Sequence, residues 1–218
     1  LVKLGFNEAN IKVIHNGTPT EKYAHIDMHK TEALRSKFAI NENDFVLGCV
    51  SRIKNQIQII KALAHVEQPV KMIFCGIEAT EEMKEIIAGY RAAHQVFFEG
   101  HVEGDNILPY YKLFDAKILA STMEGLSQSL LEAMALKVPV IATAYAGNLD
   151  LIEDRENGLL FEDGDIEKIA ELIQRVRSDQ SLRNTLIANG KITALQKFNI
   201  DRTIANYEEY FQSLVTEN

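Results

Sequence analysis

Short runs that are apolar on both faces recur along the chain, at Val13–His15, Phe45–Val50, Val70–Cys75, Gln95–Glu99, Ala116–Ala120, Pro139–Thr143 and Gly158–Phe161. Between most of them the apolar positions fall at helical spacing. Ile57, Ile60 and Ala64 form one such stripe, and Met83, Ile86, Ile87 and Tyr90 a second. Leu130, Leu131, Met134 and Ala135 form a third, then Ile166, Ile169, Leu172, Ile173 and Val176 a fourth. Two-sided apolar strands alternating with helices predict a doubly wound α/β domain, a parallel sheet covered on both faces. Punctuation agrees with these bounds. Asp165 is placed to cap a helix at Ile166, Pro139 opens a strand, and Asn157-Gly158 closes a turn. From Asn199 onward, Ile204, Tyr207, Tyr210, Phe211 and Leu214 predict an amphipathic helix whose aromatic stripe serves packing. Leu1–Ile11 has no strand of its own, so the chain reads as the back half of something larger.

Composition narrows the function classes. The 218 residues are 46% hydrophobic and 25% charged, an ordinary globular balance rather than a disordered one. Twenty-three Lys and Arg against 31 Asp and Glu give a net charge of −8. Such a surface argues against nucleic-acid partners and anionic membranes, so any phosphate must meet a local cationic pocket. No apolar run approaches the length of a membrane span, and no charged-then-apolar leader opens the chain, which points to the cytoplasm. Cys49 and Cys75 sit inside apolar runs, as small core residues do.

Ligands of open α/β sheets bind at the carboxyl ends of the strands, where helix N-termini favour phosphates. Neither a GxGxxG fingerprint nor a Walker P-loop occurs. The richest strand-to-helix junction runs from Ser121 to Ala135. Gly125 admits a close approach of backbone to ligand, and the N–H groups of Leu126 to Ser129 open a helix. Glu124 in the turn and Glu132 inside the helix can each accept hydroxyl hydrogen bonds. By spacing alone they serve equally as a helix cap and a surface charge. A second junction, Val50-Ser51-Arg52-Ile53-Lys54, places two cations after a strand at the same sheet edge. A guanidinium fork and an ammonium there suit a diphosphate, although a solvated loop has the same composition.

Three other features read as bland. Asp163-Gly164-Asp165 imitates a metal-binding DxD, but a turn and an N-cap account for it. His25 and His29 are four apart without the glutamate of a zinc protease motif, and Asn16-Gly17-Thr18 reads as a turn rather than a glycosylation site. No metal site is expected.

Taken in order, these segments resemble the C-terminal domain of the retaining GT-B glycosyltransferases of family 4, glycosyl transferases group 1. The similar segments are Val13–Gly17, Val50–Arg52 with Lys54-Asn55, Glu99–Val102, Glu124 with Glu132, Pro139–Thr143 and Glu156–Leu160. The resemblance implies a Rossmann-like domain over 1–198, one half of a GT-B fold. It leaves 199–218 as a helix packed on this domain or on an N-terminal domain absent here. It further implies a hexose transferred from a UDP- or GDP-linked sugar to a carbohydrate or lipid acceptor. No cofactor or metal takes part, and any membrane contact belongs to the absent acceptor half. On this resemblance Arg52 and Lys54 hold the diphosphate and neutralise the departing nucleotide, and Glu124 binds the donor sugar. Glu132 binds the ribose, Gly125, Leu126 and Ser127 offer N–H groups to sugar and phosphate, and Gly100, His101 and Val102 line the base.

The chain departs from the family pattern at three places. Only Ile53 separates Arg52 from Lys54, where relatives carry a longer spacer. Lys137 stands where a helix-ending glycine is usual, at a cost of about 1–2 kcal/mol if left-handed. Tyr145-Ala146-Gly147-Asn148 replaces a Gly-Gly loop and alters the donor-sugar contacts. A catalytically inactive nucleotide-sugar-binding module with a regulatory or assembly role is the rival reading, and a generic doubly wound binding protein is a third.

Overall fold

The computed structural model describes residues 4–216, so expectations for 1–3 and 217–218 lie outside the described residues. Its centre is a six-stranded parallel sheet in the order β3-β2-β1-β4-β5-β6. The strands are β1 Val46–Val50, β2 Lys71–Cys75, β3 Gln95–Phe98, β4 Ala116–Leu119, β5 Val140–Thr143 and β6 Leu159–Phe161. Leu47 pairs with Met72 on one side and Ala116 on the other, which makes β1 and β4 the two central strands. The chain winds outward from β1 to β3, then restarts at β4 and winds the other way. The β1/β4 boundary is therefore the topological switch point, where open sheets of this kind leave a crevice.

Helices cover both faces. On one side, α2 Gln56–Leu63, α3 Glu81–Ala88 and α7 Ile166–Ser178 bring Ile59, Ile60, Met83, Ile169, Leu172 and Val176 against Leu47, Met72, Phe74 and Ile118. On the other, α1 Met28–Lys37, α4 Leu108–Tyr111 and α5 Gln128–Ala135 pack with Val46, Ile73, Leu119 and Val140. Removing these side chains from water supplies about 1.5–3 kcal/mol each. The chain continues through α6 Gly147–Leu151, α8 Gln180–Ile192, a π-helical turn Thr193–Lys197 and α9 Ile200–Thr216.

The expected strand at Val13–His15 does not form. Val13 is exposed, and the segment instead lies against the start of α9. The Thr203 hydroxyl donates to the His15 carbonyl at 3.0 Å, and Thr18 forms an isolated bridge with Asn199. A Cβ on Gly17 would lie 2.4 Å from the Asn199 carbonyl oxygen, so the segment is held tightly against Asn199; no turn forms at Asn16-Gly17-Thr18, where Thr18 is instead in the bridge. The helix at the C-terminus forms as expected. Along its stripe Ile204, Tyr207, Phe211 and Leu214 are exposed, while Tyr210 is half-buried.

Local chemistry explains the remaining boundaries. Asp165 caps α7, its carboxylate accepting the Lys168 N–H at 2.9 Å. Lys137 adopts the left-handed conformation, φ 66°, that ends α5, while Val138 N–H returns to the Ala133 carbonyl. Cys49 and Cys75 are buried and free, and burial pushes both thiols up.

Candidate functional site

The loop after β1 is held by one buried side chain. Gln56, the first residue of α2, is fully buried. Its Oε1 accepts the Lys54 N–H at 2.6 Å, and its Nε2 donates to Ser51 Oγ at 2.8 Å and to the Arg52 carbonyl at 2.7 Å. Three bonds to one amide fix Ser51 to Lys54 as a tight turn, which accommodates the short Arg52–Lys54 spacing. Asn55 N–H donates to the Ala120 carbonyl at 3.2 Å and ties this turn to the end of β4. Arg52 is exposed, and its guanidinium has no partner among the described residues.

The loop after β4 meets that turn directly. Lys54 Nζ donates to the Met123 carbonyl at 3.1 Å and lies 3.4 Å from Glu124 Oε1. Glu124 does not cap α5. Ser127 occupies the cap position, and its side chain makes no cap hydrogen bond. A Cβ on Gly125 would meet nothing within 4 Å, whereas one on Gly147 would fall 1.1 Å from the Gly125 carbonyl oxygen. Gly147 is thus required by contact with the loop, and its N–H donates to the Glu124 carbonyl at 3.3 Å. Ala146 carries φ 45° and ψ −133°, a conformation that favours glycine. The Tyr145–Asn148 departure is therefore a backbone strained against the loop that carries Glu124.

Glu132 lies inside α5 and is largely enclosed, its side chain 15% exposed. Lys22 Nζ donates to Oε1 at 2.9 Å and Tyr111 Oη to Oε2 at 2.9 Å. Burial would lower the Lys22 ammonium, but the bond and charge of Glu132, with Asp105 at 3.2 Å, hold it above its ordinary value. Burial first, then the Glu132 charge, pushes the Tyr111 hydroxyl well up. No direct contact joins Glu132 to Glu124 or Arg52 among the described residues. The surface-charge reading of Glu132 is not what the structure presents.

Gly100, His101 and Val102 follow β3 at the same sheet edge. The Gly76 N–H donates to the Gly100 carbonyl, and a Cβ on Gly76 would lie 2.4 Å from the Ser51 carbonyl oxygen. His101 is exposed and Val102 half-buried against the core. The loops after β1, β2 and β3 are stitched edge to edge, but this trio touches neither glutamate. Asp163 accepts from Asn55 Nδ2 at 3.0 Å and Gln58 Nε2 at 2.7 Å, so it fastens the β6–α7 turn to α2. Among the described residues, no group of three or more His, Cys, Asp or Glu could hold a metal ion.

Three groups near the site carry no motif. Lys22 and Tyr111 approach Glu132 from segments remote in sequence. Lys117, mid-strand in β4, is fully buried, and its Nζ has no partner among the described residues. Burial lowers its ammonium to about 8, opposed by the charges of Cys49, Glu132 and Glu124. A lysine inside an apolar strand run was the one signal available in the sequence.

Residues 30–193 match the family described as Glycosyl transferases group 1. EpsD of Bacillus subtilis is 30% identical over 204 residues, covering 90% of this chain and 53% of that protein. The capsular polysaccharide biosynthesis glycosyltransferase CapM of Staphylococcus aureus is 30% identical over 224 aligned positions, covering 99% of this chain and 56% of CapM. The chain thus spans about half the length of these relatives. Among solved structures, Anabaena HepE in complex with UDP-glucose superposes with a TM-score of 0.84 at 26% identity, covering 97% of this chain and 60% of HepE. With three quarters of its length inside the family match, a parallel sheet wound from β1/β4 and a UDP-glucose-bound structural neighbour, this chain belongs to the group 1 glycosyl transferases.

Proposed function

We propose that the chain is the donor-binding, C-terminal part of a retaining, metal-independent family 4 glycosyltransferase that moves a hexose from a nucleotide-diphosphate sugar to a carbohydrate or lipid acceptor. The observation that carries this is the meeting of the Lys54 ammonium with Glu124 at the ends of β1 and β4, on the same turn that carries the exposed Arg52. The UDP-glucose bound by HepE supports the donor class.

The chemistry follows from these groups. As the glycosidic bond to the diphosphate breaks, negative charge grows on the leaving phosphate. Arg52 offers a two-pronged guanidinium and Lys54 a third ammonium hydrogen beyond its two existing contacts. Fixed cations of this kind stabilise a departing anion without a metal, and such electrostatic stabilisation usually lowers the barrier more than any other single effect. The uncapped N–H groups at the start of α5, with Gly125, Leu126 and Ser127, face the same charge. Glu124 accepts a hydroxyl of the sugar, Glu132 those of the ribose, and Gly100–Val102 border the base. Retention then requires the acceptor to attack from the face the diphosphate leaves, and no side chain here is assigned as a nucleophile. The catalytically silent alternative leaned on the short Arg52–Lys54 spacing, yet the Gln56 clamp delivers Lys54 to Glu124.

Calorimetric titration with UDP, GDP and ADP, with and without their sugars, tests the proposal. One nucleotide should bind, equally well in EDTA, while the 218-residue chain alone transfers no sugar to an external acceptor. No binding by any of the three, or a strict Mn²⁺ or Mg²⁺ dependence lost in Asp163→Ala, overturns it.

A further inference from the structure

The Glu132 carboxylate is gripped at both oxygens by residues that belong to none of the motif segments. Tyr111 ends α4, is fully buried, and shares its hydroxyl between Glu132 Oε2 at 2.9 Å and the Ser129 carbonyl at 3.1 Å. Enclosed on every side, that ring cannot swing away to admit a ligand. Lys22, from the segment before α1, holds Oε1 at 2.9 Å and is itself braced by Asp105 at 3.2 Å. The two donors therefore reach one carboxylate from two parts of the fold.

An ionised carboxylate has about four acceptor positions on its two oxygens. One is taken on each oxygen, which leaves one on each, and the side chain retains 15% exposure toward solvent. A glutamate on a mobile stem would have to surrender rotamer freedom to accept two hydroxyls at once. Held by Tyr111 and Lys22, it has surrendered that freedom already, and pre-organisation of this kind raises affinity by lowering the cost of binding.

We propose that Tyr111 and Lys22 are positioning residues for Glu132, fixing its carboxylate plane so that the two unused acceptor positions receive the adjacent 2′ and 3′ hydroxyls of the donor ribose. This rests on the reading of Glu132 as the ribose acceptor. Neither residue needs to touch the nucleotide. Their effect is confined to how well the site tells a ribose from a sugar lacking those hydroxyls.

The test titrates UDP and 2′,3′-dideoxy-UDP, or the guanosine pair if the nucleotide panel selects GDP, against the whole chain and four variants. The wild-type chain should prefer the ribonucleotide by roughly tenfold or more, the worth of a hydrogen bond to a charged group. Glu132→Gln should remove most of that preference. Tyr111→Phe and Lys22→Met should each shrink it severalfold while leaving dideoxy-UDP affinity unchanged, and Lys22→Arg should restore it. If Glu132→Gln keeps the full preference, the ribose reading fails and the proposal with it. If Glu132→Gln loses the preference while Tyr111→Phe and Lys22→Met both keep it, the positioning proposal alone is overturned. Tighter binding of both nucleotides to Lys22→Met also overturns it, since Lys22 would then be a plug. Should Tyr111→Phe fail to fold, the partly exposed Lys22 decides the matter by itself.

Discussion

Lys117 seals an ammonium inside β4 where no acceptor among the described residues reaches it, and desolvation lowers its pKa from 10.5 to about 8. The consequence for stability has a definite sign. Below pH 8 the folded and unfolded chains both carry the proton, and the full cost stands. Between pH 8 and 10.5 the folded state releases the proton first, so stability rises with pH. Above 10.5 the cost is gone. The shift corresponds to about 3 kcal/mol. Lys117→Met should therefore be more stable than wild type at pH 7 by up to that amount, with the gap closing toward pH 10. Urea unfolding of both proteins at several pH values measures it. A gap independent of pH would show that the buried ammonium is not the source of the cost.

At the level of elements, the loop after β1 shows how one side chain fixes a site. Gln56→Ala deletes three hydrogen bonds from the Ser51–Lys54 turn and should cost about 2–3 kcal/mol in a chemical melt. It should also weaken nucleotide binding, because Arg52 and Lys54 lose their shared frame. Unchanged nucleotide affinity in a folded Gln56→Ala protein would show that the clamp is structural only. Elements that bury a stripe were legible in the sequence: β1, β2, β4 and β5 as apolar runs, and α2, α3, α5 and α7 by their periodicity. Two helices that bury little, α1 and α8, left no stripe to read. Within α1 only Thr31 is buried, and within α8 only Leu186 and Gly190. Val13–His15 misled for the converse reason, a β-rich composition with no strand beside it to pair. The motif residues were legible because each follows its strand by a fixed short distance. Lys22 and Tyr111 were not, since their approach to Glu132 is a product of tertiary packing across 110 and 21 positions.

Across the whole molecule, the winding order decides where chemistry can occur. At β1/β4, where the winding reverses, the two post-strand loops run onto opposite faces, and Arg52, Lys54 and Glu124 all stand there. A chain of net charge −8 offers a diphosphate little general attraction, so the proposed donor site depends on this local pair of cations. The central claim is that the loop after β4 senses the sugar while the cations and Glu132 sense the nucleotide. Glu124→Ala separates these contributions, because Glu124 makes no helix cap and Lys54 keeps its bond to the Met123 carbonyl when the paired carboxylate is removed. The most direct measurement is titration of Glu124→Ala with the bare nucleoside diphosphate and with the intact nucleotide sugar. Affinity for the diphosphate should not fall, and that for the nucleotide sugar should fall roughly ten- to a hundredfold; equal losses for both, or none for either, would contradict the claim.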